Sequence, residues 1–425
     1  MKLLVVGGGG REHTIIKKLK ENPAVETIYA LPGNGGIAAD AVCVPEIGAT
    51  NIPAIVEFAK ANAIDFAVVA PDDPLALGCV DRLHEVGIPC FGPDAKAARI
   101  EASKVFSKNL MKKYGIPTAS YEVFNDPMKA MEYLSGASFP IVIKADGLAL
   151  GKGVLIPQNL EEARAAVKSI MEDKTFGDSG NEIVVEEFLT GPEVSVLAFT
   201  DGTAIAPMVS SMDHKRAGDG DTGLNTGGMG TIAPNPYYTA DVAQVCMDTI
   251  FLPTLAAMRA EGCPFKGCLY FGLMITPNGP KVIEYNCRFG DPETQVVLPL
   301  LKTDLLTVMQ AVENETLADL KVEWSDGAAA CVILASGGYP GSYAKGKVMS
   351  FPKSTPENVT IIHAGSRLDG DKLVTSGGRV LGIVATAPTL KEALADAYAA
   401  TETVDFEGKY MRHDIGQRAL AAMEG

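Results

Sequence analysis

Between Lys2 and about Ile100, short unbroken apolar runs alternate with stretches of helical periodicity. Leu3–Val6, Thr27–Leu31, Ala41–Val44, Phe66–Ala70 and Ile88–Phe91 read as strands, with helices at Arg11–Lys20, Ile52–Ala63 and Leu75–Val86 between several of them. Strands apolar on both faces and separated by helices predict a parallel sheet covered on both sides. A helix from Asp94 to about Lys112 follows, and Tyr114-Gly115-Ile116-Pro117 ends it.

The middle of the chain follows another rule. Pro140–Ala145, Val154–Pro157, Glu182–Leu189, Val194–Thr200 and Thr203–Ser210 read as strands joined by glycine-bearing turns, with one helix near Leu160–Met171. This predicts an antiparallel α+β region. Ser211–Pro236 is rich in Gly and Asp and has no periodicity. A loop of that length inside a compact domain is uncommon and usually functional. A helix around Asp241–Ala260, strands at Cys268–Thr276 and Lys281–Asn286, and a helix from Thr303 come next. A last block opens with Ala328–Ala335 and includes a strand at Val380–Ala387 and a helix from Thr389. The expected domains are 1–101, 102–326 (with a lid subdomain at about 118–190) and 327–425.

Charge narrows the partners. Asp and Glu outnumber Lys and Arg by 52 to 37, a net charge of −15, which repels phosphate polymers and anionic lipid. Nucleic acid and membrane are therefore not expected partners, and an anionic small molecule must be held by a few placed cations and backbone amides. The eight cysteines form no CxxC pair, so neither a zinc site nor a disulfide framework is expected, and a reducing cytoplasm fits. Leu3–Val6 is too short for a leader core, and no apolar run nears the roughly 18 residues of a membrane span.

Gly7-Gly8-Gly9-Gly10-Arg11-Glu12-His13 follows a strand and opens a helix. In the dinucleotide template G-x-G-x-x-G, Glu12 or His13 falls where the third glycine belongs, and Tyr29-Ala30-Leu31-Pro32 stands where an acidic ribose ligand would. The nicotinamide reading fails, but bare amides and a helix dipole still favour an anion at that turn. Lys144 to Gly153 (KADGLALGKG) is not a Walker loop: three residues separate Gly147 from Gly151, Gly153 replaces Ser or Thr, and the loop joins two strands. Such a hairpin, with Gly147, Gly151, Lys152 and Gly153, can fold over a polyphosphate, offering amides and ammonium groups together. Glu186-Glu187-Phe188-Leu189 reads as a linker whose backbone can meet an adenine edge, with Glu193 placed for ribose hydroxyls. Glu284 and Asn286 stand two apart on a strand and so share a face, where carboxylate and amide oxygens suit a hard cation. The turn Cys287 to Gln295 brings Arg288 and further carboxylates beside them.

These motifs, together with Gly92-Pro93-Asp94-Ala95-Lys96-Ala97-Ala98, Asp213-His214-Lys215-Arg216 and Asn225-Thr226-Gly227-Gly228-Met229-Gly230, resemble the ATP-grasp ligases, and within them the phosphoribosylamine–glycine ligase family. The resemblance implies an N-terminal parallel-sheet domain, an ATP-grasp region with a mobile lid, and a small C-terminal α/β domain. It also implies an ATP-dependent ligation of glycine to 5-phosphoribosylamine through glycyl phosphate, with Mg2+ or Mn2+ as cofactor, in a cytoplasmic enzyme expected to be a monomer. Lys104 and Lys144 then correspond to phosphate lysines, Glu186–Leu189 to the adenine hinge and Glu193 to the ribose ligand. Glu284 and Asn286 correspond to the metal ligands, and Arg288, Lys144 and Asp213 to catalytic residues. Gly9, Gly10, Asp72, Asp213, Asp291, Pro292 and Thr294 correspond to the lining of the substrate site.

Two departures stand out. The family more often has Glu where Asp72 stands, and Leu269–Met274 offers no metal carboxylate from the preceding strand. The rival readings are another ATP-grasp ligase or carboxylase, against which the loop Asp213–Gly230 argues, and a non-catalytic ATP-binding protein.

Overall fold

The computed structural model of the chain describes residues 1–148 and 153–424. The N-terminal region is a five-stranded sheet in the spatial order Val42–Cys43, Thr27–Pro32, Lys2–Gly7, Phe66–Val69, Cys90–Phe91, with every pairing parallel. Leu3 to Val6 are fully buried, as strands covered on both faces must be. Helices Gly10–Leu19 and Ile52–Ala61 supply the covering layers.

Two expected helices are each broken in two, and both breaks have a local cause. Leu75–Val86 is replaced by Asp72–Ala76 and Cys79–Glu85, because Gly78 takes a left-handed conformation (φ +82°). The helix expected from Asp94 to Lys112 becomes Ala95–Ala102 and Lys104–Tyr114, separated by an extended Ser103. The Ser103 hydroxyl accepts from the Phe106 amide at 3.0 Å and so caps the second helix. Asp146 accepts from both Ser103 Oγ and the Val105 amide at 3.1 Å. The break thus ties Lys104 to the Asp146-Gly147 turn.

Two antiparallel sheets follow, as the turn chemistry predicts. One runs Tyr121–Phe124, Ile183–Glu187, Ile141–Ala145, Val154–Leu155; the other runs Ile205–Pro207, Glu193–Asp201, Lys266–Thr276, Gly279–Asn286. Residues 188–192 are the chain link between them.

The stretch Ser211–Pro236, expected as a loop, carries strands. Met212–Asp213 pairs with Gly230–Ala233, which in turn pairs with Ala328–Ser336 of the C-terminal sheet. The partner lies about a hundred residues away, so no local pattern announces it. That sheet continues through Arg379–Ala387 to Val359–His363. Between its two paired strands the excursion forms a hairpin, Arg216–Gly218 with Thr222–Asn225. The C-terminal segment grips it: Arg412, 1% exposed, reaches Asp221 Oδ1 at 2.9 Å and both oxygens of Asp414 at 2.8 Å. No helix among the described residues is long and apolar enough to cross a membrane, and the eight cysteines are free.

His214 is part of this grip. Its Nε2 accepts from the Gly416 amide at 3.1 Å, so the ring proton sits on Nδ1 and is donated to Gly230 O at 3.1 Å. Burial pulls the imidazole down from 6.5 to about 4. Between those values the unfolded chain binds a proton that the folded chain refuses, so stability is full above pH 6.5 and falls as pH drops toward 4. Urea unfolding over a pH series should show the native chain losing about 3 kcal/mol more across that window than His214→Gln.

Candidate functional site

The site forms where the two antiparallel sheets meet the parallel sheet and the turn at Asp146-Gly147. From the first antiparallel sheet comes Lys144, whose Nζ donates to Ile283 O of the second sheet at 3.0 Å and lies 3.0 Å from Glu186 Oε1. Lys108, one turn along the helix from Lys104, approaches Glu186 Oε2 at 3.0 Å and donates to Thr118 Oγ1 at 2.7 Å. All three charged groups are nearly dry, and burial pulls the Lys108 ammonium down to about 8. Lys104 Nζ donates to Gly147 O at 2.8 Å; burial lowers its pKa, against the pull of Glu284.

Strand Gly279–Asn286 places Glu284 and Asn286 on one face, as their spacing predicts. The Glu284 side chain is half-buried among the cations of the cleft. Burial would raise its pKa, but Lys215, Lys144, Lys104 and Arg288 together hold it below the ordinary range. Asn286 Nδ2 donates to Glu101 Oε1 at 3.0 Å, which leaves its carbonyl oxygen available. Arg288 Nη2 lies 3.0 Å from the same Glu101 oxygen, while its buried Nε has no acceptor among the described residues. Two oxygens of hard-donor type, with no third metal-binding carboxylate, His or Cys grouped with them among the described residues, fit a cation that completes its shell with phosphate and water.

A second group of residues lies next door. Asp213 accepts from the His214 amide at 2.7 Å, and burial followed by the neighbouring Glu293 pushes its carboxyl well up. Glu293 accepts from Tyr270 OH at 3.1 Å and is itself pushed up by burial. Asp291 accepts from the Arg11 amide at 3.3 Å and Gln295 Nε2 at 2.9 Å; Arg379 and Arg11 hold it down against burial. Lys215 pairs with Glu193 at 3.3 Å, which raises its pKa, yet it keeps 41% of its side chain open to solvent. It lies at the bottom of an open cleft rather than in a core.

Most of the expected residues are brought together. Gly9 caps helix Gly10–Leu19, its amide held by Glu12 Oε2 at 2.6 Å, and a Cβ at Gly10 would strike Gln295. Pro292 packs on Gly228, which at φ +122° has no room for a side chain beside Asp213. Asp72 opens its helix close enough to Arg288 to bear on its charge. Thr294 is not brought to the cleft: it is fully buried and spends its hydroxyl on Gly290 O. Glu187 bonds to Ser120 and Lys281, and Phe188 is exposed, so neither side chain is turned into the buried ion group. Gly151 and Lys152 lie outside the described residues; Gly153 O accepts from the Ala145 amide at 2.8 Å.

Sequence reasoning misses Glu101 and Lys108, and gives no role to Asp146, Lys215 and Glu293, which lie within the motifs it singles out. For the first two a signal existed: Glu101 falls four residues after buried Ala97, and Lys108 four after Lys104, so each lies on a helix face turned inward.

A cleft between two antiparallel sheets, lined by lysines, is the arrangement of the ATP-grasp class. Residues 1–101, 102–294 and 329–418 match in turn the N, ATP-grasp (A) and C domains described as phosphoribosylglycinamide synthetase. The chain belongs to that family. It is 47% identical to a phosphoribosylamine–glycine ligase of Chlorobaculum tepidum, over 99% of this chain and 100% of the relative. It is also 47% identical, over 99% of its length, to a trifunctional purine biosynthetic protein of Gallus gallus, of which it spans 42%. The crystal structure of a phosphoribosylamine–glycine ligase from Thermotoga maritima superposes with a TM-score of 0.86 at 35% identity, covering 98% of this chain and 100% of the other.

The buried ion group can be tested without substrate. Glu186→Gln leaves two ammonium groups facing each other in a dry pocket, and urea unfolding should show a loss of about 3–5 kcal/mol.

Proposed function

We propose that the chain joins glycine to 5-phosphoribosylamine at the expense of ATP, giving glycinamide ribonucleotide, ADP and phosphate, as a step of purine biosynthesis. The observation that carries this reading is the polar chemistry at one spot: a buried Arg288 Nε without an acceptor among the described residues, beside a Glu284 carboxylate that Lys215, Lys144, Lys104 and Arg288 hold below its ordinary pKa. A phosphoryl group and a hard cation are the partners such groups take.

In this reading Lys104 and Lys144 hold the α- and β-phosphates, and the hairpin 147–153 closes over them. The backbone of Glu186–Leu189 reads adenine and Glu193 the ribose. Glu284 and Asn286 would hold Mg2+ or Mn2+, which would supply neutralisation of the polyphosphate charge. A glycine carboxylate oxygen attacks the γ-phosphorus and ADP leaves, giving glycyl phosphate. The phosphoribosylamine nitrogen then attacks the acyl carbon, phosphate leaves, and the nitrogen gives up a proton. Arg288 stabilises the charge on the transferring phosphoryl oxygens, work that needs positioning rather than a covalent nucleophile. Gly9, Gly10, Asp72, Asp213, Asp291 and Pro292 line the substrate side. Asp213 and Glu293, the second of which helps raise the pKa of the first, offer carboxyl oxygens to the ammonium of glycine.

The expected division into 1–101, 102–326 and 327–425, with a lid at about 118–190, belongs to this proposal, as do a monomeric state and a cytoplasmic location. Phosphate release from MgATP should require glycine and freshly generated phosphoribosylamine together, with a product of glycinamide ribonucleotide mass. Release with another acid and amine, or none despite ATP binding, would favour a different ligase or a binding protein. Glu284→Ala should abolish turnover in the same assay; retained activity would unseat the cation reading.

A further inference from the structure

Glu101 lies in the last turn of helix Ala95–Ala102, in the segment that follows the parallel sheet, yet its carboxylate is buried between two residues of the cleft. Oε1 takes Asn286 Nδ2 and Arg288 Nη2, both at 3.0 Å, and Oε2 takes the Cys287 amide at 2.7 Å. Three consecutive residues are thus held by one side chain from a distant part of the chain.

We propose that Glu101 is a positioning residue that fixes the amide of Asn286 with its oxygen toward the cation site and aims the Arg288 guanidinium in the same act. The argument is one of donor and acceptor. A carboxylate is acceptor-only, so it can take only the NH2 of Asn286, and the carbonyl oxygen must then point the other way along the side chain. An asparagine without that partner can present NH2 or oxygen, and only oxygen binds a cation. The same Oε1 takes one guanidinium NH2, which fixes the plane of Arg288 and leaves its Nε, buried and without an acceptor, directed elsewhere. The Cys287 amide anchors the carboxylate to the turn itself. Partners of ligating side chains typically affect metal affinity by roughly 10–100-fold.

This rests on Glu284 and Asn286 being cation ligands, so the experiment includes a variant for that reading. Mn2+ binding to the full chain with ADP is measured by electron paramagnetic resonance, and ADP binding in EDTA serves as the metal-free control. Glu101→Asp keeps the charge but is one methylene too short to reach all three donors, and Glu101→Ala removes both charge and contact. Both should weaken Mn2+ binding at least tenfold, with ADP binding in EDTA within twofold of the native chain. Native-like Mn2+ affinity in Glu101→Asp overturns the proposal, whether or not Glu101→Ala is impaired, because charge alone would then explain any effect. Affinity untouched in Glu284→Ala sinks the ligand reading and the proposal with it. Affinity lost in Glu284→Ala but kept in Glu101→Asp sinks the proposal alone.

Discussion

One carboxylate and two ammonium groups share a nearly dry pocket at the seam of the two antiparallel sheets, and the cleft depends on their balance. Glu186 lies 3.0 Å from both Lys108 and Lys144. Taking three charges out of water costs several kcal/mol per ion, which is recovered only where geometry and further hydrogen bonds are good. Thr118 Oγ1 and Ile283 O supply those bonds, and Ile283 belongs to the opposite sheet. Thr118 in turn donates to Val282 O. The ion group therefore holds strands 141–145 and 183–187, helix Lys104–Tyr114 and strand Gly279–Asn286 in one arrangement. Those same elements carry Lys104, Lys144 and Glu284 to the cleft.

The acidic balance of the whole chain and the cationic cleft are consistent once charge is counted locally. At a net −15 the long-range field repels an anion, and screening limits that repulsion to about 10 Å at ordinary salt. Inside the cleft Lys104, Lys144, Lys215 and Arg288 all act on the one carboxylate of Glu284. Short-range fields in a partly desolvated site exceed the screened field of the surface. The composition thus excludes extended polyanions without excluding a nucleotide.

What the sequence makes legible follows from where each pattern is encoded. The parallel sheet is encoded locally, because continuous apolar runs and intervening helices leave few other folds. Glu284 and Asn286 are legible because strand period alone puts them on one face. Thr294 misled because proximity to Asp291 in sequence does not decide facing: in the helix it opens, its side chain turns into the core and its hydroxyl bonds back to Gly290 O. Glu101 and Lys108 carried only the faint signal of helix spacing, and packing decides that their faces turn inward. Within 211–236 the strand Gly230–Ala233 could not be read from local pattern, because its sheet partner lies in Ala328–Ser336.

That last pairing gives the C-terminal region work beyond packing. Arg379, on a strand of its sheet, donates to Gly227 O and Asp291 O at 2.9 Å each and approaches Asp291 Oδ1 at 3.4 Å. Tyr339 OH accepts from the Gly227 amide at 3.0 Å, and Arg412 ties down Asp221. The turn at Gly228 sits between Asp213 and Pro292 with no room for a Cβ. Two segments that carry no regular structure of their own, around 227 and 291, are thereby set against each other by a guanidinium from a third. A glycine-rich loop has much conformational entropy to lose on ordering. Here that cost is met in the folded protein by the C-terminal contacts, so it does not fall on substrate binding, and the loop can hold Asp213 in place before any ligand arrives.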